Sequence, residues 1–332
     1  MKAIVCTKYG PPEVLRIEEI EKPVPKNNEI LVKVFAATVS AADRRVRSFN
    51  VPLSFWLPAR LALGFTKLRR PVLGMDFAGV VEETGKDIKK FKAGDKVFGL
   101  IGERFGSYAQ YMNLSEDWKG AGLAIVPENL SFEEAAAVPF GGLTALYFIR
   151  EAKIQNGQKV LINGASGSVG TYAVQLAKYY GAEVTAICSA GKTDLVKSLG
   201  ADKVIDYTKE DFTKTGEIYD VIFDAAGTAS FSGCVKALAK NGILLHDVAV
   251  PAVTLKMKWA SLTTGKKMVG GGPDTNTEDL MFLGDLVKSG MLKPVIDKVY
   301  PMEQIVNAHK YTESGQKKGN VVVTIEHSNK AR

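Results

Sequence analysis

Over the first 125 residues, apolar positions come in short runs separated by turn residues. Residues 3–6 are apolar and are closed by Gly10-Pro11-Pro12. Residues 29–35 (EILVKVF) alternate in part, as a strand with one buried face does. Residues 72–82 are apolar with two glycines, which marks a bent or bulged strand. Residues 91–99 place a turn before a strand, and residues 105–112 read as another strand. Short strands with Gly and Pro punctuation predict a compact, irregular β domain. The pattern changes near Pro127. Ser131 with Glu134 three residues on predicts a capping box opening a helix, and residues 142–152 predict a second helix. From Gln158 the order strand, Gly-rich turn, helix recurs. Strands fall at 159–163, 183–188, 203–205, 219–224 and 242–245, with helices at 169–180, 193–199 and 230–239. Strands and helices alternating at this spacing predict an α/β fold with a parallel, doubly wound sheet. The tail predicts a loop after Gly270, a helix at 278–289, a strand at 299–300, a helix at 302–313 and a last strand at 320–325.

The turn after the first of those parallel strands reads Gly164-Ala165-Ser166-Gly167-Ser168-Val169-Gly170. It follows an apolar strand and opens a helix, the setting of a dinucleotide-binding fingerprint, here A-x-G-x-x-G from Ala165. Gly167 lets the backbone approach a pyrophosphate, and Gly170 lets the helix pack close to the sheet. The helix N-terminus turns unpaired N–H groups and partial positive charge toward phosphates. Ala165, Ser166, Gly167, Ser168, Val169 and Gly170 are therefore candidate cofactor contacts; the plainer reading is a tight turn with no ligand. The next strand ends in Cys188-Ser189-Ala190-Gly191-Lys192, with no acid before Asp194. NAD sites usually place Asp or Glu at this strand end. The Ser189 hydroxyl and the Lys192 charge instead suit the 2′-phosphate of NADPH.

Composition sharpens this in one place. The 332 residues suggest about two domains. Apolar residues at 46% and charged residues at 24% exclude a disordered, collagen-like or disulfide-stapled chain. A net charge of +7 is mild; it suits an anionic ligand, and without a basic run interleaved with aromatics it does not predict nucleic-acid binding. The scarce residues say more. Three Cys and three His have no zinc-site spacing, so no metal is expected. Disulfides are not expected either, which favours a reducing, cytoplasmic setting. The N-terminus lacks the pattern of a signal peptide, and no apolar run reaches the roughly 18 residues of a spanning helix. The nearest candidate, 51–65 (VPLSFWLPARLALGF), is interrupted by Pro58 and Arg60.

Four segments come in one order: AGDKVFG at 93–99, AAAVPFGGLTA at 135–145, GASGSVG at 164–170 and LGADKVIDY at 199–207. Together they resemble the medium-chain dehydrogenase/reductase superfamily over essentially the whole chain. The resemblance implies a GroES-like, β-rich catalytic domain at 1–125, completed by 292–332, and a Rossmann NADP-binding domain at 126–291. It also locates the positions where zinc members of the superfamily hold metal. A ligand Cys is replaced here by Ser40, and Gly-His-Glu by Gly74-Met75-Asp76; residues 80–130 contain no Cys for a structural zinc lobe. The chain thus looks like the zinc-free quinone oxidoreductase branch. That likeness implies NADPH-dependent reduction of quinones or α,β-unsaturated carbonyls, a small hydrophobic substrate and a homodimer, which many relatives form through an apolar edge strand such as 242–245. Alcohol oxidation needs a Lewis acid or base for the hydroxyl proton, whereas hydride transfer to an already electrophilic centre does not. Two alternatives stand beside this reading: a zinc-free NADP-dependent alcohol dehydrogenase or carbonyl reductase, and a non-enzymatic NADPH- or RNA-binding protein.

The resemblance also carries single residues. Ser40, Asp43 and Thr144 take positions near the nicotinamide and substrate, with a helix cap and a helix-interior threonine as the plainer readings of Asp43 and Thr144. Tyr207 resembles a residue touching the adenosine phosphate, Gly227 offers backbone contact, and Lys318 and Asn320 stand where relatives often have Gly-Lys. Asp224 is expected to have no acid–base role, and His246 to be packed. For 51–65, which follows Ser40 and Asp43, three readings are open: an apolar lid at the substrate cleft, a buried or dimer-contact helix, and shallow membrane association helped by Arg60, Lys67, Arg69 and Arg70.

Overall fold

The computed structural model describes residues 1–115, 120, 122–247, 251–272 and 276–327, with the backbone alone at 251–253. The chain opens with strands β1 (Lys2–Cys6), β2 (Leu15–Glu19) and β3 (Glu29–Thr38). Helices α1 (Ala41–Ser48) and α2 (Leu53–Leu63) follow, then β4 (Asp76–Thr84), β5 (Lys96–Leu100), β6 (Tyr111–Ser115), β7 (Gly122–Ile125) and α3 (Phe132–Ala137). The alternating part comprises α4 (Pro139–Ala152), β8 (Lys159–Asn163), α5 (Ser168–Tyr179), β9 (Glu183–Cys188), α6 (Thr193–Ser198), β10 (Lys203–Asp206), β11 (Tyr219–Asp224), α7 (Phe231–Ala237), β12 (Leu238–His246), α8 (Pro251–Thr264) and β13 (Lys267–Gly270). The tail adds α9 (Thr277–Lys288), β14 (Ile296–Pro301), α10 (Ile305–Glu313) and β15 (Asn320–Thr324).

Two compact units result: 1–140 with 275–288 and 294–332, and 141–274 with 289–293. The first is built on a sheet of order β14-β15-β3-β4-β5-β7, with β6 pairing β3 as well. Inward residues of β3 (Ile30, Val32, Val34), Phe77, Val97, Leu114 and Val323 form its core. Helix α3 packs on β3, β4 and β15, and α9 packs on β7; these contacts give 126–140 and 275–288 to the first unit. The Ser131–Glu134 capping box forms as expected and fixes the start of α3. Arg47 ties α1 to α10: its side chain is buried, pairs with Glu313, donates to the Gly10 carbonyl and lies 3.4 Å from His309 Nδ1. Burial and the adjacent guanidinium push the His309 imidazole down to about 3, so it is neutral.

The second unit is a six-stranded sheet of order β10-β9-β8-β11-β12-β13, parallel throughout. β8 and β11 stand at its centre, and their middle residues, 160–162 and 221–223, are apolar and buried, as in doubly covered strands.

Four expectations are corrected. The strand expected at 105–112 lies at Tyr111–Ser115, because the backbone turns through left-handed φ at Phe105 and Gly106 (51° and 126°). α8 and β13 appear in a stretch that the apolar pattern left unassigned. β12 is not an edge strand, since β13 pairs along it from Ile243 to His246. The 51–65 segment forms α2, and no residue of that helix is buried, which removes the reading of a helix packed inside the domain.

Candidate functional site

In the second unit the apolar strand β8 delivers the chain to the glycine-rich turn. Gly164 adopts φ +79°, and the Gly167 N–H donates to the Gly164 carbonyl at 3.0 Å, closing the turn. Gly167 is the N-cap of α5, so the helix begins where the sequence places the phosphate contact. The two framework glycines differ in what a side chain would meet. A Cβ on Gly170 would sit 2.1 Å from the Gly164 carbonyl and 2.7 Å from the Ala165 Cα, so helix and turn touch there. A Cβ on Gly167 would meet only the Gly164 carbonyl, at 3.3 Å, and otherwise open space. Ala165, Ser166, Val169 and Gly170 are buried, while Gly167 and Ser168 are half-buried at the mouth of the turn.

The carboxyl edge of the same sheet supplies the remaining candidates of this unit. Ser189 and Lys192 are half-buried in the short turn after β9. Tyr207, 63% exposed, follows the outer strand β10, and its N–H donates to the Cys188 carbonyl at 3.3 Å. Sequence reasoning missed Asp206, which pairs in register with Cys188. Bonds from the Thr208 side chain and N–H, with a weaker one from the Ala190 N–H, hold its carboxyl below the usual range, so it is a charged group beside the 189–192 turn. Asp224 has a structural part. It accepts from Asn163 Nδ2 (2.7 Å) and from the N–H groups of Gly227 (2.9 Å) and Ala229 (3.1 Å), fixing the loop in which Gly227 stands exposed at φ +67°. His246 is half-buried, and its buried Nδ1 has no partner among the described residues. Thr144 is buried within α4.

In the first unit Ser40 caps α1. Its N–H and hydroxyl donate to Asp43 Oδ2 (2.9 and 2.6 Å), and its Oγ accepts from the Asp43 N–H (3.1 Å). Gly74 N–H donates to the other carboxylate oxygen at 3.0 Å. Asp43 is fully buried with both oxygens engaged, so its position is that of a brace between α1 and the Gly74 turn, with no oxygen facing outward for a substrate. Gly74 must be glycine: φ is +89°, and a Cβ would fall 2.2 Å from Ser107 Oγ. Below this brace Asp76 accepts from the Thr38 hydroxyl and, at 3.0 Å, from the Phe140 N–H. Tyr108, also buried, donates to the Thr38 carbonyl at 2.9 Å. Two buried acids thus lie close together. Burial raises the Asp43 carboxyl, and burial with the Asp43 charge pushes Asp76 up to about 8, so Asp76 holds its proton at neutral pH. Lys318 and Asn320 lie at the entry to β15, where Lys318 N–H donates to Asp297 (2.8 Å) and the Asn320 amide to the Val295 carbonyl (3.1 Å).

A pH effect follows. The folded state keeps the Asp76 proton up to about 8, whereas the unfolded chain releases it near the ordinary carboxylate value. Between these points the folded state binds more protons, so Asp76 makes stability fall as pH rises. Urea unfolding at pH 5 and pH 8 should show Asp76→Asn gaining on the wild type as pH increases. A difference that stays constant would contradict the assignment.

The family model for the alcohol dehydrogenase GroES-like domain matches residues 26–125, and that for a zinc-binding dehydrogenase matches residues 199–323. The 2-methylene-furan-3-one reductase of Solanum lycopersicum is 36% identical over 337 residues, covering 97% of this chain and 79% of its own. The quinone oxidoreductase of Coxiella burnetii matches with a TM-score of 0.87 at 30% identity, over 98% of this chain and 99% of its own. The Escherichia coli quinone oxidoreductase complexed with NADPH gives 0.81 at 27% identity, over 98% and 100%.

Proposed function

Because the chain belongs to the medium-chain dehydrogenase/reductase superfamily, in its quinone oxidoreductase branch, we propose that it reduces quinones or α,β-unsaturated carbonyl compounds with NADPH and without zinc. It is an NAD(P)-dependent oxidoreductase, so the non-enzymatic reading falls. The observation that carries the proposal is the turn at 164–170. Gly167 leaves the space above the α5 N-terminus open to a pyrophosphate, and Gly170 holds helix and turn too close for any side chain. Bound NADPH supplies a hydride. The protein's part is to hold the phosphates on the turn, to select the 2′-phosphate through Ser189 and Lys192, and to contribute backbone and side-chain contacts at Gly227 and Tyr207. Ser40 and Asp43 act as positioning residues of the first unit, and Thr144, Lys318 and Asn320 remain assigned to the substrate and cofactor surroundings.

The zinc-free half of the proposal rests on donor chemistry. Zinc takes thiolate, imidazole and carboxylate. Ser40 offers a hydroxyl already engaged in the Asp43 bonds, and Met75 a thioether. These residues do not fit the ion, and no step runs through one. We also assign the protein to a reducing cytoplasm, on three free, buried cysteines, and to a homodimer; of the described strands on that side of the second sheet, β13 is outermost.

Cofactor choice tests the reading. Lys192→Glu should raise the Kd for NADPH by about tenfold or more and leave that for NADH nearly unchanged, read by nicotinamide fluorescence. Equal losses for both nucleotides would remove Lys192 from phosphate selection. Turnover is read by loss of nicotinamide absorbance with a panel of quinones and enones. Activity on none of them would defeat the proposal.

A further inference from the structure

Helix α2 is an anomaly of burial. A helix apolar on all sides is normally covered, yet Leu53, Leu57 and Leu61, spaced four apart on one face, are 90%, 53% and 57% exposed. Trp56 and Arg60, on the flank of that ridge, grip the body of the first unit. The Arg60 guanidinium, the only charge in the helix, lies 3.7 Å from the Phe49 ring centre and 4.4 Å from that of Tyr9, and it donates to the Phe65 carbonyl. Trp56 packs edge-on against Phe49 and Phe65. The leucine ridge is therefore held outward on a fixed support. Directly after the helix come exposed Lys67, Arg69 and Arg70. Arg69 and Arg70 run into an open cavity of about 540 Å³, whose lining adds Lys26 and Arg104 against one acid, Glu29. Arg104 lies 3.7 Å from Glu29, so among the described residues most of the cavity's positive charge is left unbalanced.

We infer that this face is a peripheral docking site for an anionic phospholipid bilayer, with the leucine ridge entering the interface and the cavity taking lipid phosphate. The pairing of an outward apolar ridge with a basic cluster is what an interfacial helix uses. Eleven residues rise only about 16 Å, so the helix lies in the interface and does not span. A second copy fits less well, since a twofold contact through α2 brings two basic clusters toward each other. Nucleic acid would leave the leucines uncovered. The inference does not depend on the reductase reading.

The test is flotation of the full-length protein with vesicles of phosphatidylglycerol and phosphatidylcholine, against phosphatidylcholine alone. The wild type should float with the anionic vesicles only, and less so as salt rises. Leu53→Glu/Leu57→Glu and Arg69→Glu/Arg70→Glu should each lower vesicle partition by about tenfold or more. Melting temperature and NADPH affinity should stay at wild-type values, which the exposure of all four positions permits. A wild type that stays in the soluble fraction, equal flotation with neutral vesicles, or variants that partition like the wild type would each overturn the inference. So would a dimer, seen by light scattering, that the leucine variant dissociates while no vesicles are bound.

Discussion

Gly167→Asp should abolish NADPH binding, with Kd rising at least about 100-fold, and leave the protein folded. The Gly167 backbone lies at φ −81°, a conformation open to any L residue. The new side chain would meet only the Gly164 carbonyl and would otherwise extend over the α5 N-terminus. That is the space a pyrophosphate needs, and the intruding group carries the same sign of charge. A 100-fold loss corresponds to about 2.7 kcal/mol, within reach of one like-charge contact in a partly desolvated turn. Gly167→Ala separates bulk from charge and should give a smaller loss. Fluorescence titration with NADPH, beside a thermal melt, checks both. If Gly167→Asp binds NADPH as tightly as the wild type does, the turn is not the phosphate site.

Asp43→Ala should destabilise the protein by about 2–4 kcal/mol, a sizeable part of the roughly 5–15 kcal/mol that holds a typical domain together. The substitution leaves the N–H groups of Ser40 and Gly74 without their acceptor in a fully buried place, and it removes half of the capping box of α1. Asp43→Asn keeps an acceptor oxygen and should cost less. Urea unfolding gives the size of the effect. The same variants separate a brace from a group that acts on substrate. A brace predicts that lost activity tracks lost stability and is largely restored in Asp43→Asn. A catalytic carboxylate predicts a fall in kcat for Asp43→Asn at an unchanged melting temperature.

Local features were legible in the sequence. The bounds of β8, β9 and β11 agree with the apolar runs because each strand is largely buried along its length, so pattern and structure report one thing. The Ser131–Glu134 box was readable because both of its bonds close within three residues. The Asp43 brace was not, since its second arm reaches Gly74; nor was the clasp of Asn163 on Asp224, which joins the ends of two parallel strands. An acid set between Met75 and Phe77 in an apolar run was the one visible sign of the buried Asp76. α8 escaped for a different reason. Leu255, Trp259 and Leu262 face outward, 68–88% exposed, while Met257 and Ala260 are buried, so its apolar residues fall on both sides of the helix and give no clear periodicity. The segment 51–65 was noticed for its composition, but only the fold shows that its leucines point away from the body that Arg60 grips.

The most direct test of the account follows the hydride itself. The chelator-treated enzyme is given NADPH carrying deuterium at the transferable C4 position, together with an α,β-unsaturated ketone, and the product is examined by mass spectrometry and NMR. The account predicts a saturated ketone with one deuterium on the β-carbon, formed at the same rate as before chelation. Deuterium on the carbinol carbon, or activity lost on chelation and restored by zinc, would contradict it.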